Sequence, residues 1–280
     1  MSTQITVSFV QQYRANLLML SQQKGSRYRG TVRNEMVTGK TAYFDRVGAV
    51  AMVQSTSRHD DTPQIDTPHS RRKVDLVTYR WADLIDKADK VRMLSDPQSE
   101  YAQLGAFAAG RTMDSAIIAA ANGTAYSGET GATSVPLPSA QKVAAASTGL
   151  TVAKLISAKE ILDTGDVDPA SPRTIAVRPD GITDLLGTTQ VTSADYNTVR
   201  ALVAGQIDTF MGFKFIVSNL VPSGKALVWS RDAMALAVGS DPVVRISERA
   251  DKNYATQVFV EFDIGATRVE DAGVVEISYV

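Results

Sequence analysis

A polar stretch of 20 residues, 54–73, lies between two apolar segments of the chain. Apart from two prolines, its only apolar residue is Ile65. Connections of this length are uncommon inside compact domains and are usually functional or disordered. A polar two-stranded extension buries too little surface to be stable alone. We therefore expect something outside the subunit to order this stretch, and we expect its deletion to leave a folded subunit.

The segments on either side of the polar stretch have the composition of β-strands. Residues 41–53 and 74–81 are rich in β-branched and aromatic side chains. This composition predicts two strands, and their position around one connection predicts a hairpin.

A long helix follows, and both of its ends are marked in the sequence. Asp96 and Pro97 are favoured at the first positions of a helix, and Asn122 with Gly123 is a good end. Between these ends, at 96–122, about 25 residues form a helix about 38 Å long. Because it contains many Ala and Gly residues, we expect one flank to pack closely against a sheet.

The rest of the chain predicts a compact mixed α/β unit followed by closing strands. Residues 123–149 are rich in Gly, Ser, Thr and Ala, which indicates a boundary or an exposed hairpin. Beyond it, the patterns predict helices at 151–163, 180–186 and 231–238, and strands at 173–178, 213–217, 226–229, 257–264 and 274–279.

The first 40 residues are basic, with six Lys or Arg residues against one Glu, which leaves about −6 on the remainder of a chain of net charge −1. Such asymmetry is typical of a terminal arm that reaches an acidic partner, although an ordinary solvated segment remains an alternative. The apolar residues of this arm fit one side of a short helix: Phe9, Val10, Tyr13, Leu17, Leu18 and Leu20. The residues predicted to make basic contacts are Arg14, Lys24, Arg27, Arg29 and Arg33.

Composition excludes several classes of site. With no cysteine, the chain has no disulfides, thiolate metal sites or cysteine nucleophile. Its near-neutral charge excludes a wholly basic surface for nucleic acid. No apolar run is long enough for a membrane span, and no basic region precedes the first apolar residues, so we expect neither membrane association nor secretion.

The two histidines, His59 and His69, lie in the polar stretch among aspartates of the type that binds metals. Their spacing matches no ligand motif, and no other histidine is available as a general base. The sequence therefore predicts no catalytic, cofactor-binding or metal-binding residue. We predict that the polar stretch makes inter-subunit contacts through Arg58, His59, Asp60, Asp61, Ile65, Asp66, His69, Arg71, Arg72 and Lys73.

The order of these elements, together with three segments, resembles the HK97-type major capsid proteins of tailed bacteriophages. The segments are MDSAIIAAANG (113–123), GQIDTFMGFKFIVSNLVP (205–222) and KALVWSRDAMALAV (225–238). The resemblance implies an α+β fold with an N-terminal arm at 1–38, an extended E-loop at 39–80 and an axial domain at 150–245. It places a peripheral domain at 81–149 and 246–280, with the spine helix at 96–122.

The same resemblance implies self-assembly into pentamers and hexamers that form an icosahedral shell around double-stranded DNA. The partners would be copies of the chain itself, a separate scaffolding protein, a portal, and DNA held by weak non-specific contact. Assembly would take place in the host cytoplasm and the product would be the virion capsid. Two alternatives stay open: the shell of an encapsulin-like compartment enclosing protein cargo, and a soluble α/β enzyme.

Overall fold

A computed structural model of the chain describes residues 22–54, 56–59, 61–86, 98–187 and 209–280. In these ranges the strands are β1 (Arg33–Met36), β2 (Thr41–Val47), β3 (His69–Asp75), β4 (Val77–Ile85), β5 (Ala125–Ser127), β6 (Thr133–Val135), β7 (Lys142–Val143), β8 (Arg173–Val177), β9 (Thr209–Phe210), β10 (Phe213–Val217), β11 (Lys225–Ser230), β12 (Met234–Arg249), β13 (Ala255–Arg268) and β14 (Val274–Ser278). The α-helices there are α1 (Gln98–Asn122), α2 (Val152–Thr164) and α3 (Pro179–Gly187).

The described strands form three sheets. Two have four strands each, in the orders β1-β12-β13-β4 and β2-β3-β5-β6, and the third has six, in the order β7-β14-β11-β8-β10-β9. No helix among the described residues is both long enough and apolar enough to cross a membrane.

The chain divides into two compact units, and the smaller comprises Met1–Ser26, Thr78–Arg111 and Asp241–Phe262. In this unit Gly105 allows α1 to approach strands β4 and β13 closely. A Cβ atom added at Gly105 would lie 2.6 Å from Val260 and 3.0 Å from Trp81. The predicted close packing of a small-residue flank against a sheet is confirmed.

The larger unit comprises Arg27–Val77, Thr112–Ser240 and Asp263–Val280. Its core lies around the six-stranded sheet, where every residue of β8 is buried. Helix α2 buries one stripe at helical spacing, through Val152, Leu155, Ala158 and Leu162. The Thr151 hydroxyl caps this helix by accepting a hydrogen bond from the Lys154 N–H at 3.4 Å.

Most of the predicted elements are confirmed. Helices α2 and α3 and strands β8, β10, β11 and β14 lie within one residue of the expected bounds. The described part of the spine helix is α1, whereas Asp96, Pro97 and the apolar residues of the predicted arm helix lie outside the described residues. A β5-β6 hairpin occupies part of the interval 123–149.

Three predictions of secondary structure are wrong, and one of them is the strand expected over 41–53, which ends at Val47. Residues 231–238 are not a helix, because a single turn at Arg231–Ala233 leads directly into β12. The first five residues of that strand are all buried, and a strand buried on both faces has a continuous apolar run without alternation. The strand expected at 74–81 is in fact two strands, which separate at Leu76.

The four-domain division stays a prediction. The six-stranded sheet combines β8, β10 and β11, from the range expected for the axial domain, with β14, which comes from the range expected for the peripheral domain.

Candidate inter-subunit surface

A hairpin forms around the polar stretch, but its strands are β2 and β3, and β3 includes residues 69–73, which the sequence assigns to the connection. The two strands pair antiparallel from Thr41 opposite Asp75 to Val47 opposite His69. The Gly48 N–H then donates to the Pro68 carbonyl at 2.8 Å. A Cβ atom at Gly48 would lie 2.7 Å from the Pro68 ring, so this close approach requires glycine. The regular hairpin ends there.

Residues 48–68 form the loop of this hairpin, called the extended loop below. Its described residues contain neither helix nor strand, and all but Thr67 are exposed. The expected strand over 41–53 is therefore wrong beyond Val47. Three of the apolar residues are strongly exposed, with Met52 at 99%, Val53 at 62% and Val50 at 54%. The loop thus combines polar residues with an apolar segment that its own subunit does not cover.

The base of the hairpin is fixed by a buried arginine. The Arg72 side chain is 2% exposed and donates to Asp271 Oδ2 at 2.5 Å. Asp271 Oδ1 also accepts from Arg268 Nε at 2.5 Å. Arg268 in turn donates to the carbonyls of Gly123 at 2.8 Å and Val135 at 2.9 Å. The network ties β3 to the end of β13 and to the segment that follows α1.

Burial lowers the pKa of Arg72, and the Asp271 carboxylate opposes that shift. The Arg72 guanidinium remains charged, because an arginine pKa stays far above neutral pH. This buried charge is tolerated because the Asp271 carboxylate and the Val269 carbonyl, which accepts from Arg72 Nε at 3.3 Å, compensate it. Arg72 is thus part of the subunit interior and does not belong to the contact surface predicted for it.

The other face of the hairpin base carries exposed charges. Arg71 lies 3.1 Å from Asp45 and its guanidinium carbon lies 5.5 Å from the centre of the Tyr43 ring. Lys73 pairs with Asp75 at 3.0 Å. The pKa of Asp75 is lowered mainly by a hydrogen bond from Thr41 and also by the hydrogen bond and charge of Lys73. Nearby is an open groove of about 560 Å³, lined by Asp45, His69, Ser70, Arg71, Ser127, Gly128 and Glu129.

The remaining predicted contact residues lie in two places. Exposed residues of the extended loop are Arg58, His59, Asp61, Ile65 and Asp66. Asp60 lies outside the described residues. On β3, His69 is exposed, and Arg71 and Lys73 are partly exposed. Sequence analysis missed Val50, Met52 and Val53, because their β-branched and apolar character was assigned to a strand.

The basic residues predicted for the N-terminal arm are distributed over separate contacts. Lys24 and Arg27 are exposed, and Arg27 Nη1 donates to the Val217 carbonyl at 2.7 Å. Arg33 forms an exposed pair with Glu35. Arg29 is half-buried, and Arg14 lies outside the described residues.

A carboxylate that sequence analysis did not single out holds the start of the larger unit. Asp114 on α1 is fully buried and accepts the backbone N–H groups of Arg27, at 3.0 Å, and of Tyr28, at 3.1 Å. The Tyr28 ring meets Trp229 edge to face, with 5.5 Å between ring centres. Burial raises the pKa of Tyr28 to about 12. The backbone at Arg27 and Tyr28 is therefore fixed to the core of the larger unit.

In the described parts of the chain, no three His, Asp or Glu side chains lie close enough together to bind a metal ion. The acidic and basic side chains around the hairpin form structural pairs or face solvent. The candidate contact surface is therefore the exposed part of the hairpin, namely its extended loop and the exposed residues of β3.

Comparison with known proteins gives the family. A profile of the family described as phage capsid protein matches residues 5–280. The chain belongs to the phage capsid protein family. Solved capsid structures share its fold across almost the whole chain, whereas the search of curated proteins found no match.

Three of these structures show how far the likeness extends. The capsid of cyanophage P-SCSP1u has a TM-score of 0.76 at 18% identity, covering 100% of this capsid protein and 95% of that chain. The capsid of Ralstonia phage GP4 has 0.74 at 12% identity, covering 98% and 96%. The cyanophage Pam1 capsid asymmetric unit has 0.73 at 14% identity, covering 98% and 97%.

The predicted α+β, HK97-like capsid fold is confirmed by these likenesses. The family match confirms the prediction of a phage capsid protein that forms an icosahedral shell, and it favours this function over a cargo compartment. Its place in the virion is the capsid.

Proposed function

We propose that this capsid protein forms pentamers and hexamers that close into an icosahedral shell around double-stranded DNA, and that the extended loop of each subunit lies on a neighbouring copy. The observation that carries the proposal is the exposure of Met52, at 99%, in a loop without regular structure. A fully exposed methionine beside exposed Val50 and Val53 is an unfavourable surface for an isolated subunit. A second copy removes that surface from water.

The energetics fit a contact that forms during assembly. Burying an apolar side chain of this size contributes about 1.5–3 kcal/mol. Ordering a loop of 21 residues on a neighbour opposes that gain, because the loop loses conformational entropy. Each contact is then individually weak, and a subunit placed wrongly can dissociate and bind again. Repetition over the shell makes the assembled state stable.

The polar residues of the extended loop and the exposed polar residues of β3 determine how the loop is oriented on the neighbouring copy. They comprise Arg58, His59, Asp61, Asp66, His69, Arg71 and Lys73, and Ile65 adds an apolar contact. Charged groups at the rim of an interface determine orientation more than affinity. We assign them that role.

The proposal extends to the other partners of the shell. A chain of net charge −1 binds DNA weakly, since affinity for phosphates rises with the number of basic contacts. The basic arm residues Lys24, Arg27, Arg29 and Arg33 are the candidates for that weak contact. A separate scaffolding protein and a portal complete the particle, assembly takes place in the host cytoplasm, and no enzymatic step is assigned to the chain.

A pair of substitutions tests the loop contact. Met52→Asp places a charge where we expect burial in the neighbour, and Met36→Asp places the same charge at another exposed methionine, 77% exposed on β1. Each variant is expressed with its helper proteins and examined by sedimentation and negative-stain microscopy. We expect Met52→Asp to give unassembled subunits with unchanged thermal unfolding, while Met36→Asp still forms shells. Normal shells from Met52→Asp would contradict the proposal.

A further inference from the structure

The ammonium group of Lys154 is buried without a directly bound carboxylate. The side chain is 6% exposed and extends from α2 in the larger unit. Its Nζ atom lies 2.7 Å from the Ala145 carbonyl oxygen, 2.8 Å from that of Thr148, 3.0 Å from that of Gly149 and 3.1 Å from that of Ser278. All four contacts are to backbone oxygens.

Four carbonyls around one ammonium exceed what hydrogen bonding alone requires. A lysine ammonium has three N–H donors, so four acceptors at these distances cannot each receive a separate hydrogen bond. Carbonyl oxygens that converge on one centre are how potassium channels replace the hydration shell of an ion. The four carbonyl oxygens around the Lys154 ammonium resemble such a site, and this set is called the cage below.

The cage joins two parts of the chain that are far apart in sequence. Three of its carbonyls belong to residues 145–149, where Ala146 and Ser147 have positive φ angles of 47° and 50°. The fourth is Ser278, at the end of β14. The Val280 N–H also donates to the Thr148 carbonyl at 3.1 Å. Without a cation, four carbonyl dipoles would face one another inside the protein, at a cost that rises with burial.

One further observation agrees with a site for positive charge. Burial disfavours the charged form and lowers the pKa of Lys154, but the Asp184 carboxylate opposes this shift and so favours the ammonium. Asp184 Oδ2 accepts the Leu150 N–H at 3.4 Å, which places the carboxylate just beyond residues 145–149. The cage is thus electrically balanced by an acid that does not itself occupy it.

We propose that residues 145–149 and the end of β14 form a binding site for a monovalent cation of ammonium or potassium size, and that Lys154 fills this site with its own side chain. The positive charge of Lys154 then positions the C-terminal strand against the loop. This inference does not rest on shell assembly, because it concerns the interior of one subunit.

Replacement of Lys154 by a free cation tests the site. Lys154→Ala vacates the cage, whereas the matched control Lys154→Met fills it with an uncharged chain of similar length. The melting temperature of each full-length variant and of the unaltered subunit is measured in potassium, ammonium, sodium or tetramethylammonium chloride at equal ionic strength. In tetramethylammonium chloride, we expect Lys154→Ala to melt about 5 °C or more below the unaltered subunit. Potassium or ammonium should restore at least half of this loss in Lys154→Ala and none in Lys154→Met.

Several outcomes overturn the proposal. One is a melting temperature of Lys154→Ala that is the same in all four salts, and another is an equal gain from potassium in the unaltered subunit. If Lys154→Ala does not fold during expression, its refolding yield is compared in potassium and tetramethylammonium chloride, and an equal yield counts against the site. In crystals of Lys154→Ala grown with rubidium chloride, the absence of anomalous density at the former Nζ position also overturns it.

Discussion

The Arg72 guanidinium and the Asp271 carboxylate lie 2.5 Å apart, although 199 residues separate them in the chain. The pair fixes the base of a hairpin whose extended loop has almost no buried residue. A firmly held base below an exposed loop is the arrangement expected of a segment that serves another subunit. The two parts should therefore respond differently to substitution.

Replacing Arg72 should destabilise the subunit itself. Arg72→Met leaves Asp271 with one of its two arginine partners, and we expect the free energy of unfolding to fall by about 3 kcal/mol. The matched control is Arg71→Met, one residue earlier on β3, where the ion pair with Asp45 is exposed. That control should cost less than about 1 kcal/mol. Urea unfolding measures both, and equal losses would contradict the assignment of Arg72 to the interior.

Removing the extended loop should abolish assembly and leave the fold intact. Residues 48–68 are replaced by Asn-Gly, which suits a two-residue turn between Val47 and His69. We expect thermal unfolding of this variant to stay within a few degrees of the unaltered subunit, while sedimentation shows no shells. Deleting 54–73, as the sequence alone suggests, also removes Arg72 and should unfold the subunit. If the loop-replaced variant forms shells, the extended loop is not required for assembly and the proposal is contradicted.

An alanine at Gly110 should displace the segment that approaches α1 in the smaller unit. The added Cβ atom would lie 2.3 Å from the Gly25 carbonyl carbon and 2.6 Å from the Ser26 nitrogen, which are backbone atoms. Relief of this overlap should cost about 1–3 kcal/mol of local stability. We expect trypsin to cleave after Lys24 faster than in the unaltered subunit. Gly30→Ala is the control, since a Cβ atom there meets nothing within 4 Å, and an equal acceleration in it would contradict the packing argument.

Tyr28 should make the subunit sensitive to alkaline pH. Its pKa is about 12 in the folded chain, against about 10 in an unfolded one. Below pH 10 both states keep the proton, and as pH rises from 10 to 12 the unfolded state ionises first, so stability falls. The loss attributable to this one group is about 2 kcal/mol by pH 12.

The Tyr28→Phe variant should show a smaller alkaline loss of stability, measured by urea unfolding from pH 8 to 11.5. Burial also raises the pKa of Tyr279 to about 12, so part of the alkaline loss remains in this variant. Tyr126→Phe, at a half-exposed tyrosine on β5, is the control and should follow the unaltered subunit. An unchanged pH profile for Tyr28→Phe would contradict the role of burial.

The sequence predicts the elements whose signals are local. The small residues and end signals of α1 and the alternation of Val258, Val260 and Phe262 define a helix and a strand without reference to the rest of the chain. The sequence pattern at the start of β12 predicts a helix, because a strand buried on both faces has no alternation that would indicate a strand.

The candidate contact surface was predictable only in part. The length and polarity of the connection pointed to the hairpin, but its limits depend on pairing between residues distant in sequence, such as Val47 with His69. The burial of Arg72 depends on Asp271, and the anchoring of Arg27 depends on Asp114, 87 residues later. A single sequence does not encode such pairs in any local pattern.

The close approach of Gly48 to Pro68 marks a boundary between two groups of residues that evolve under different constraints. Residues of β2 and β3 are constrained by the interior of their own subunit. Under the proposed loop contact, Val50, Met52 and Val53 are constrained instead by the surface of another copy. A change in those three side chains is acceptable only when the receiving surface changes with it. Under the proposed loop contact, two related capsid proteins that drift apart at this loop should sort into separate shells when they are produced in one cell.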